Sequence, residues 1–269
     1  MELLTLDNSP PSILGLAGNR SMDDKRIIQS ALAAGVNYFF FYNLSFESLL
    51  SGLKPLLKRQ REKILVATGS ESRNNNSLNQ YLDLVRHRLD IDVIDVFFIE
   101  YISPADDLER IKNILDELHN WKEKGLIRYV GVTVHNRPIG MKLIENEQFD
   151  VLMHRYNMAH RKAEQNLLPA AKSADIPVIA FTCTRWSSLL KGHPNWSGKI
   201  PTAADCYRYA LANNAVKMAL TAPETLTQLN ENLQVLKNPF LRSSEKSLWQ
   251  SYGNLIYGNG RDSFETKWL

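Results

Sequence analysis

The stretch Val93-Ile94-Asp95-Val96-Phe97-Phe98-Ile99-Glu100-Tyr101 decides how the rest of the chain is interpreted. Its centre, from Val96 to Ile99, is wholly apolar and lacks the alternation of a half-exposed strand. Such a run is typical of a strand that is buried on both faces, as in a parallel sheet covered by helices. The carboxylate of Glu100 follows where the strand should end, and parallel α/β folds bind ligands at strand carboxyl ends. Glu100 is therefore the first candidate functional residue, with a solvated loop position as the alternative.

Strand and helix patterns alternate on both sides of this stretch. Strands are predicted before it at 13–18, 36–42 and 63–68, and after it at 127–134, 150–156, 176–181 and 216–220. Helical periodicity separates them, as at Leu78, Leu82, Val85 and Leu89. Eight strands that alternate with helices over about 250 residues predict a (β/α)8 TIM barrel. An open doubly wound sheet also alternates, but no Gly-x-Gly-x-x-Gly turn follows the first strand.

The pattern assigns residues 1–269 to a single α/β domain. The barrel is expected at about 12–237, with a short N-terminal strand or hairpin before it and a C-terminal helix and aromatic tail at 238–269. The net charge of +3 and the absence of a block of like charges argue against a nucleic-acid partner.

The cysteine count and the N-terminus bear on the compartment. Cys183 and Cys206 are the only cysteines, too few for a disulfide framework, and they fit a reducing environment. The first residues lack the basic and apolar regions of a signal peptide, and no apolar run is long enough to cross a membrane. We therefore expect a cytoplasmic protein without a membrane partner, and the sequence leaves the oligomeric state open.

Three segments resemble motifs of the aldo-keto reductase family. They are Gly35-Val36-Asn37-Tyr38-Phe39, Gly125-Leu126-Ile127-Arg128-Tyr129-Val130-Gly131-Val132-Thr133 and Leu229-Asn230-Glu231-Asn232-Leu233. The resemblance covers roughly residues 12 to 237 and implies a barrel with its pocket at the carboxyl ends of the strands. It also implies a C-terminal tail near that pocket, which makes a lid the alternative to a tail packed on the barrel flank.

The resemblance implies hydride transfer from NADPH to a carbonyl by an Asp, a Tyr, a Lys and a His. In this sequence those positions fall on Phe40, on Ser45 or Phe46, on Gly69 and on Glu100. A phenol must protonate the developing alkoxide and a lysine lowers the pKa of that phenol, and neither group stands at these positions. We therefore expect a degenerate tetrad and the loss of conventional carbonyl reduction.

The resemblance also implies positions for the cofactor. Thr133, Phe181, Glu231 and Asn232 keep groups suited to a nicotinamide or an adenine, and they are the candidate cofactor-binding residues. Val134 and Met153 replace amide-binding residues, while Ala222, Pro223 and Gln228 stand where the 2′-phosphate is bound. Because charge-assisted hydrogen bonds to that phosphate are missing, we predict no NAD(P)H binding or only weak binding.

Strand parity predicts a second set of polar side chains at the barrel mouth, because residues two apart share a face. Parity assigns to it Tyr42, His135, Arg155, Asn157, Cys183 and Arg185, and Asn19 and Glu100 complete the ring. Trp186 is a further candidate substrate-binding residue. Arg155 lies within a strand, where a charge must be paired, and Glu100 is the expected partner. Cys183 is expected to pack rather than to act as a nucleophile. The histidines 135, 154 and 160 lack metal-ligand spacing, so no metal site is expected.

Three functions remain open at this point. The leading hypothesis is an aldo-keto-reductase-like barrel enzyme that performs proton transfer, elimination or isomerisation on a small anionic metabolite. Glu100 with His135 or Tyr42 would be acid and base, and Asn19, Arg155, Asn157, Arg185 and Trp186 would hold the substrate. The second is an NAD(P)H-dependent carbonyl oxidoreductase with a non-standard site. The third is a non-catalytic barrel that binds a metabolite or a protein.

Overall fold

The structure, a computed structural model, describes residues 2–22, 24–146 and 148–259. Its eight parallel strands form a closed barrel in sequential order, and the last strand pairs with the first. The predicted (β/α)8 barrel is confirmed. The strands are β1 (Leu14–Ala17), β2 (Tyr38–Phe41), β3 (Leu65–Ser70), β4 (Ile94–Ile102), β5 (Ile127–Val134), β6 (Val151–Arg155), β7 (Val178–Phe181) and β8 (Val216–Thr221).

Helices follow the strands and cover the outside of the barrel. They are α1 (Arg26–Ala33), α2 (Glu47–Gln60), α3 (Asn75–Leu89), α4 (Leu108–Glu123), α5 (Arg137–Glu145), α6 (Leu167–Ser173), α7 (Ala203–Leu211), α8 (Leu226–Asn232), α9 (Gln234–Lys237) and α10 (Ser243–Tyr257). The periodic residues of α3 are all buried, as predicted. The helix α8 begins at Leu226, because the Thr225 side chain accepts the Gln228 N–H and caps the helix there. Among the described residues, no helix combines the length and apolarity needed to cross a bilayer.

Strand parity divides β4 between two cores. Val96 and Phe98 pack inside the barrel, while Phe97 and Ile99 face the surrounding helices. Successive side chains of a strand point to opposite faces, so Glu100 continues the inward row. The sequence-predicted strand thus places a carboxylate at the top of the barrel interior.

The N-terminal segment closes the other end of the barrel. The hairpin predicted here is wrong, because residues 2–13 contain no strand. Instead, the Ser9 N–H donates to Thr5 Oγ1 at 2.8 Å and closes a turn, and Leu3 enters the inner core. Arg128 donates to the carbonyl of Leu4 at 2.7 Å and fixes the segment across the amino ends of the strands. The carboxyl end is therefore the end that is left for a ligand.

The C-terminal helix α10 packs on the loops that follow β6 and β7. The Tyr252 hydroxyl donates to the Leu189 carbonyl at 2.8 Å, and Trp249 is buried. A β-carbon at Gly253 would collide with the Met158 carbonyl, so glycine permits this close approach. Phe264 and Trp268 of the predicted aromatic tail lie outside the described residues, and the choice between lid and flank stays a prediction.

Candidate active site

A cavity of about 610 Å³ opens at the carboxyl ends of the strands. It lies where the loops after β1, β2, β4, β7 and β8 meet, the region where barrel enzymes carry their active sites. Seven of the sequence-predicted site residues line it, namely Asn19, Tyr42, Glu100, Phe181, Trp186, Glu231 and Asn232. The structure thus brings these seven positions, which are distant in the sequence, together around one cavity.

Glu100 is the buried acid of this cavity. It is 2% exposed, and its Oε1 atom has no hydrogen-bond partner. Gly69 on the neighbouring strand leaves the room for this carboxyl, because a β-carbon there would collide with Oε1. Burial raises the pKa of Glu100 to about 8, against a smaller lowering effect of the Thr133 hydroxyl. The carboxyl is therefore mostly protonated near neutral pH, with one oxygen available to a ligand.

Tyr101 joins Glu100 in lining the cavity, although the two are consecutive in β4. A register shift between Ile99 and Ile102 interrupts the pairing of β4 with β5, and Tyr101 has a left-handed φ of 53°. Such a bulge redirects a side chain that a regular strand would point away. The bulge thus places a carboxyl and a phenol side by side at the mouth.

His135 stands behind Tyr101 rather than in the cavity wall. Its ring stacks on Tyr101 with the centroids 5.4 Å apart and the planes 9° apart. Phe181 meets the same imidazole edge-on, with the centroids 5.2 Å apart. His135 is not among the residues that line the cavity, so the structure gives it the geometry of a support for Tyr101 and not of a first acid or base.

Tyr42 brings a second phenol to the cavity. It is 45% exposed and meets Phe46 edge-on, with the ring centroids 5.1 Å apart. Neither Phe46 nor Ser45, the two positions implied for the family tyrosine, lines the cavity. Tyr42, Glu100 and Tyr101 line the same cavity, and burial, followed by the charge of Glu100, raises the pKa of Tyr101.

The residues expected to bind an anion occupy other places. Arg155 is 7% exposed at the end of β6 and Arg185 donates to the Ile256 carbonyl in α10 at 2.5 Å, and neither lines the cavity. Asn157 is fully buried, donates to the Thr182 carbonyl at 2.9 Å and shapes the loop after β6.

The arginine whose charge acts on the Glu100 carboxyl is Arg73, which lowers its pKa. Arg73 is held at this position by two contacts. It donates to the Glu100 carbonyl at 2.9 Å and forms an ion pair with Asp106 at 2.8 Å. Arg73 thus acts on the Glu100 carboxyl through its charge, while its own ion pair is with Asp106.

The charge of the lining is acidic. Glu100, Glu224 and Glu231 line the cavity, and the described lining residues include no lysine or arginine. Aromatic rings supply much of the remaining wall, among them Phe40, Tyr42, Tyr101, Phe181 and Tyr207. The basis for an anionic substrate, two arginines in the wall, is thus absent from the described part of the cavity.

The polar side chains of the cavity wall near α8 form hydrogen bonds with other groups of the protein. Asn232 donates to Thr221 Oγ1 at 2.8 Å, and the Tyr207 hydroxyl donates to the same oxygen at 2.9 Å. Glu231 accepts the Ala203 N–H at 3.3 Å, and Asn19 donates to the Ala222 carbonyl at 3.0 Å. These polar groups brace the loops after β1 and β8 against each other. Thr133 is buried and does not line the cavity, unlike Phe181.

A model of the Aldo/keto reductase family matches residues 14–195 of the chain. The chain belongs to this family. An aldo-keto reductase from Bacillus halodurans in its holo form has a TM-score of 0.77 at 18% identity, over 97% of this chain and 99% of that chain. An aldo/keto reductase from Klebsiella pneumoniae in complex with NADP and acetate has a TM-score of 0.75 at 13% identity, over 94% and 96%. The glycerol dehydrogenase of Gluconobacter oxydans has a TM-score of 0.74 at 19% identity, over 94% and 93%.

Two tyrosines that line the cavity, Tyr101 and Tyr207, were not predicted as site residues from the sequence. Strand parity points Tyr101 away from Glu100 in a regular strand, and only a bulge reverses that direction. Tyr207 belongs to α7, and the period of a helix does not show that one of its side chains reaches the mouth. A bulge and the packing position of a helix leave no signal in a single sequence, so only the Glu-Tyr dipeptide at a strand end indicated this place.

Proposed function

We propose that this aldo/keto-reductase-family barrel catalyses proton transfer on a small carbonyl compound, in a reaction of the isomerisation or elimination class, with Glu100 as the proton carrier. The observation that carries the proposal is the Oε1 atom of Glu100, which is buried at the cavity and has no hydrogen-bond partner. A group that only stabilised the fold would be expected to have its polar atoms paired.

The protonation state of Glu100 suits this task. A general acid or base works best when its pKa lies near the operating pH, and burial brings the pKa of Glu100 to about 8. Ionised Glu100 takes a proton from a carbon next to the carbonyl, and the electron pair moves to the carbonyl oxygen. The protonated carboxyl then returns the proton to another carbon, which is isomerisation, or a leaving group departs, which is elimination. A phenol at the mouth stabilises the oxygen that becomes negative.

The lining favours a neutral substrate over the anionic one expected from the sequence. An anion would meet Glu224 and Glu231 and, among the described lining residues, no lysine or arginine. Like charges in a partly desolvated site repel, whereas aromatic walls take up a neutral carbonyl compound without that penalty. We therefore propose a neutral ketone, aldehyde or enone in a cytoplasmic setting.

The cofactor of the family fits this cavity only in part. Phe181 offers a ring on which a nicotinamide stacks. The 2′-phosphate of NADPH needs cations or free N–H donors, but Glu224, Gln228 and Glu231 stand near α8, and the Gln228 side chain accepts the Glu224 N–H at 2.7 Å. The residues do not fit the phosphate, and the proposed reaction needs no hydride. A second candidate function, carbonyl reduction with NAD(P)H, is favoured by the family match and by Phe181, Glu231 and Asn232 in the cavity wall.

Deuterium exchange tests the proposal with a small panel of carbonyl compounds. The protein is incubated in D₂O with cyclohexanone, cyclohex-2-enone and acetylacetone, without NAD(P)H, and deuterium at carbon is followed by NMR. We expect the wild-type protein to accelerate exchange in at least one compound, and Glu100→Gln to lose about 10²–10⁴-fold of that rate. Glu123→Gln, the same change at an exposed carboxylate of α4 outside the cavity, is the matched control and keeps the rate.

The same samples distinguish the alternatives. NADPH oxidation with any of these compounds, without deuterium exchange, would establish the oxidoreductase instead. Ligand-induced stabilisation with neither reaction would favour the binding barrel. Calorimetry completes the test, because a low-micromolar NADPH complex contradicts the expected weak binding.

A further inference from the structure

We infer that Tyr101 is the hydrogen-bond donor to the substrate oxygen in the reaction at Glu100. The inference rests on the proposed function, since it names the residue that assists the proton carrier Glu100. It concerns a position that lies outside the tetrad positions implied by the family resemblance, directly after Glu100 in β4.

The backbone is the first ground for the inference. Tyr101, the penultimate residue of β4, has a φ of 53°, and a left-handed conformation is unfavourable for an L-residue with a large side chain. Such outliers persist where the surroundings enforce them, and they cluster at ligand sites. Here the register shift between Ile99 and Ile102 turns the ring into the cavity beside Glu100.

The support of the ring is the second ground. His135 stacks on Tyr101 with nearly parallel planes, and Phe181 holds the other edge of His135. A donor whose ring is fixed by packing loses little freedom when it meets the substrate oxygen, so its hydrogen bond is preorganised. Tyr42, a second phenol of the cavity, is 45% exposed and remains in contact with water, which weakens its hydrogen bonds to a ligand. The hydroxyl of Tyr207, the third phenol, already donates to Thr221.

The protonation state of the phenol is consistent with the role. Burial and the negative charge of ionised Glu100 both raise the pKa of Tyr101, so the hydroxyl keeps its proton when Glu100 acts as the base. Glu100 Oε1 then removes the proton from carbon, and the Tyr101 hydroxyl donates to the oxygen that receives the electron pair. Glu100 thus accepts a proton while its neighbour Tyr101 donates a hydrogen bond, and the two roles are complementary.

The test uses 4-nitrophenol, whose absorbance separates the phenol from the phenolate and whose oxygen imitates the developing oxyanion. We expect the wild-type protein to bind it, and Tyr101→Phe to bind it about tenfold more weakly. Tyr42→Phe, the matched loss of a hydroxyl at the same mouth, should change the affinity less than about threefold. Thermal melting checks that both variants, which keep the ring, are folded like the wild type.

Several results would overturn the inference. Wild-type affinity for 4-nitrophenol in Tyr101→Phe, an equal loss in Tyr42→Phe, or no binding to the wild-type protein each excludes Tyr101 as the donor. A fluorotyrosine at position 101 provides a second check, since its lower phenol pKa must strengthen the bound phenolate contact. Tyr101-dependent binding without deuterium exchange would leave the donor in place and refute the proposed proton transfer, so the two failures are distinguishable.

Discussion

Two buried carboxylates at opposite ends of β4 have opposite surroundings. Asp95, at the amino end, is fully buried and accepts hydrogen bonds from the Val66 N–H at 2.7 Å and from Arg128 at 2.8 Å. It also forms an ion pair with Arg61 at 2.8 Å. Glu100, at the carboxyl end, is almost as buried and keeps Oε1 without a partner. The same strand thus carries one acid whose charge is compensated and one whose charge is not.

The difference assigns a stabilising role to Asp95 and a chemical role to Glu100 on the same strand. At the closed amino end, Arg128 also donates to the carbonyls of Leu4 and Thr5. Asp95 therefore connects the barrel, through Arg128, to the N-terminal segment that closes it. At the open end, burial without a partner shifts the pKa of Glu100 towards neutrality instead of stabilising the fold. Barrels in general keep stabilising residues at the first end and reactive ones at the second.

Removal of the Asp95 charge should give the largest effect on stability. In Asp95→Asn, Arg61 and Arg128 lose their carboxylate, and breaking such a buried pair lowers the free energy of unfolding by about 3–5 kcal/mol. Urea denaturation at pH 7 measures the loss. Asp83→Asn is the control, because that carboxylate belongs to an exposed pair with Arg86. Equal stability of the two variants would refute the structural role of Asp95.

Glu100→Gln should raise the free energy of unfolding near pH 8, whereas Asp95→Asn lowers it. The folded-state pKa of Glu100 lies near 8 and above its ordinary value, so the folded protein holds a proton that the unfolded chain releases. The stability of the wild type is therefore fully retained below about pH 4.5 and falls as the pH rises to 8, by about 4 kcal/mol in total. The neutral amide removes this dependence. Denaturation of both proteins at pH 4.5 and 8 should show a gap that opens with pH, and a constant gap would contradict the raised pKa.

Arg73→Gln should give the smallest change in stability, and it tests whether the charge of Arg73 lowers the pKa of Glu100. The loss of the ion pair with Asp106 lowers the free energy of unfolding by about 1 kcal/mol, because both partners are partly exposed. Arg73 lowers the pKa of Glu100, so its removal raises that pKa further. Carbon-13 NMR of the Glu100 carboxyl follows the titration directly, with Arg110→Gln as a neighbouring control. An unchanged titration would mean that Arg73 does not act on Glu100.

Much of the site was accessible from the sequence where strand parity operates on regular strands. Glu100 and Tyr42 follow apolar runs, the family resemblance indicated Phe181, and the structure brings all three to the cavity. The same logic failed at Asn157 and Arg185, which lie in loops beyond the strand ends. There the backbone turns, as at the left-handed residues Thr182 and Arg185, and the period of two no longer determines where a side chain points.

The sequence by itself determined the barrel. The order of apolar residues predicts that eight short strands are buried on both faces and that each helix is buried on one face. The sequence also determined that an acid ends β4. Only the tertiary structure decided that Gly69 makes room for that acid, that the charge of Arg73 acts on it, and that a bulge turns Tyr101 towards it. These features depend on contacts between strands and loops that are far apart in the chain, and such contacts leave no periodic signal in one sequence.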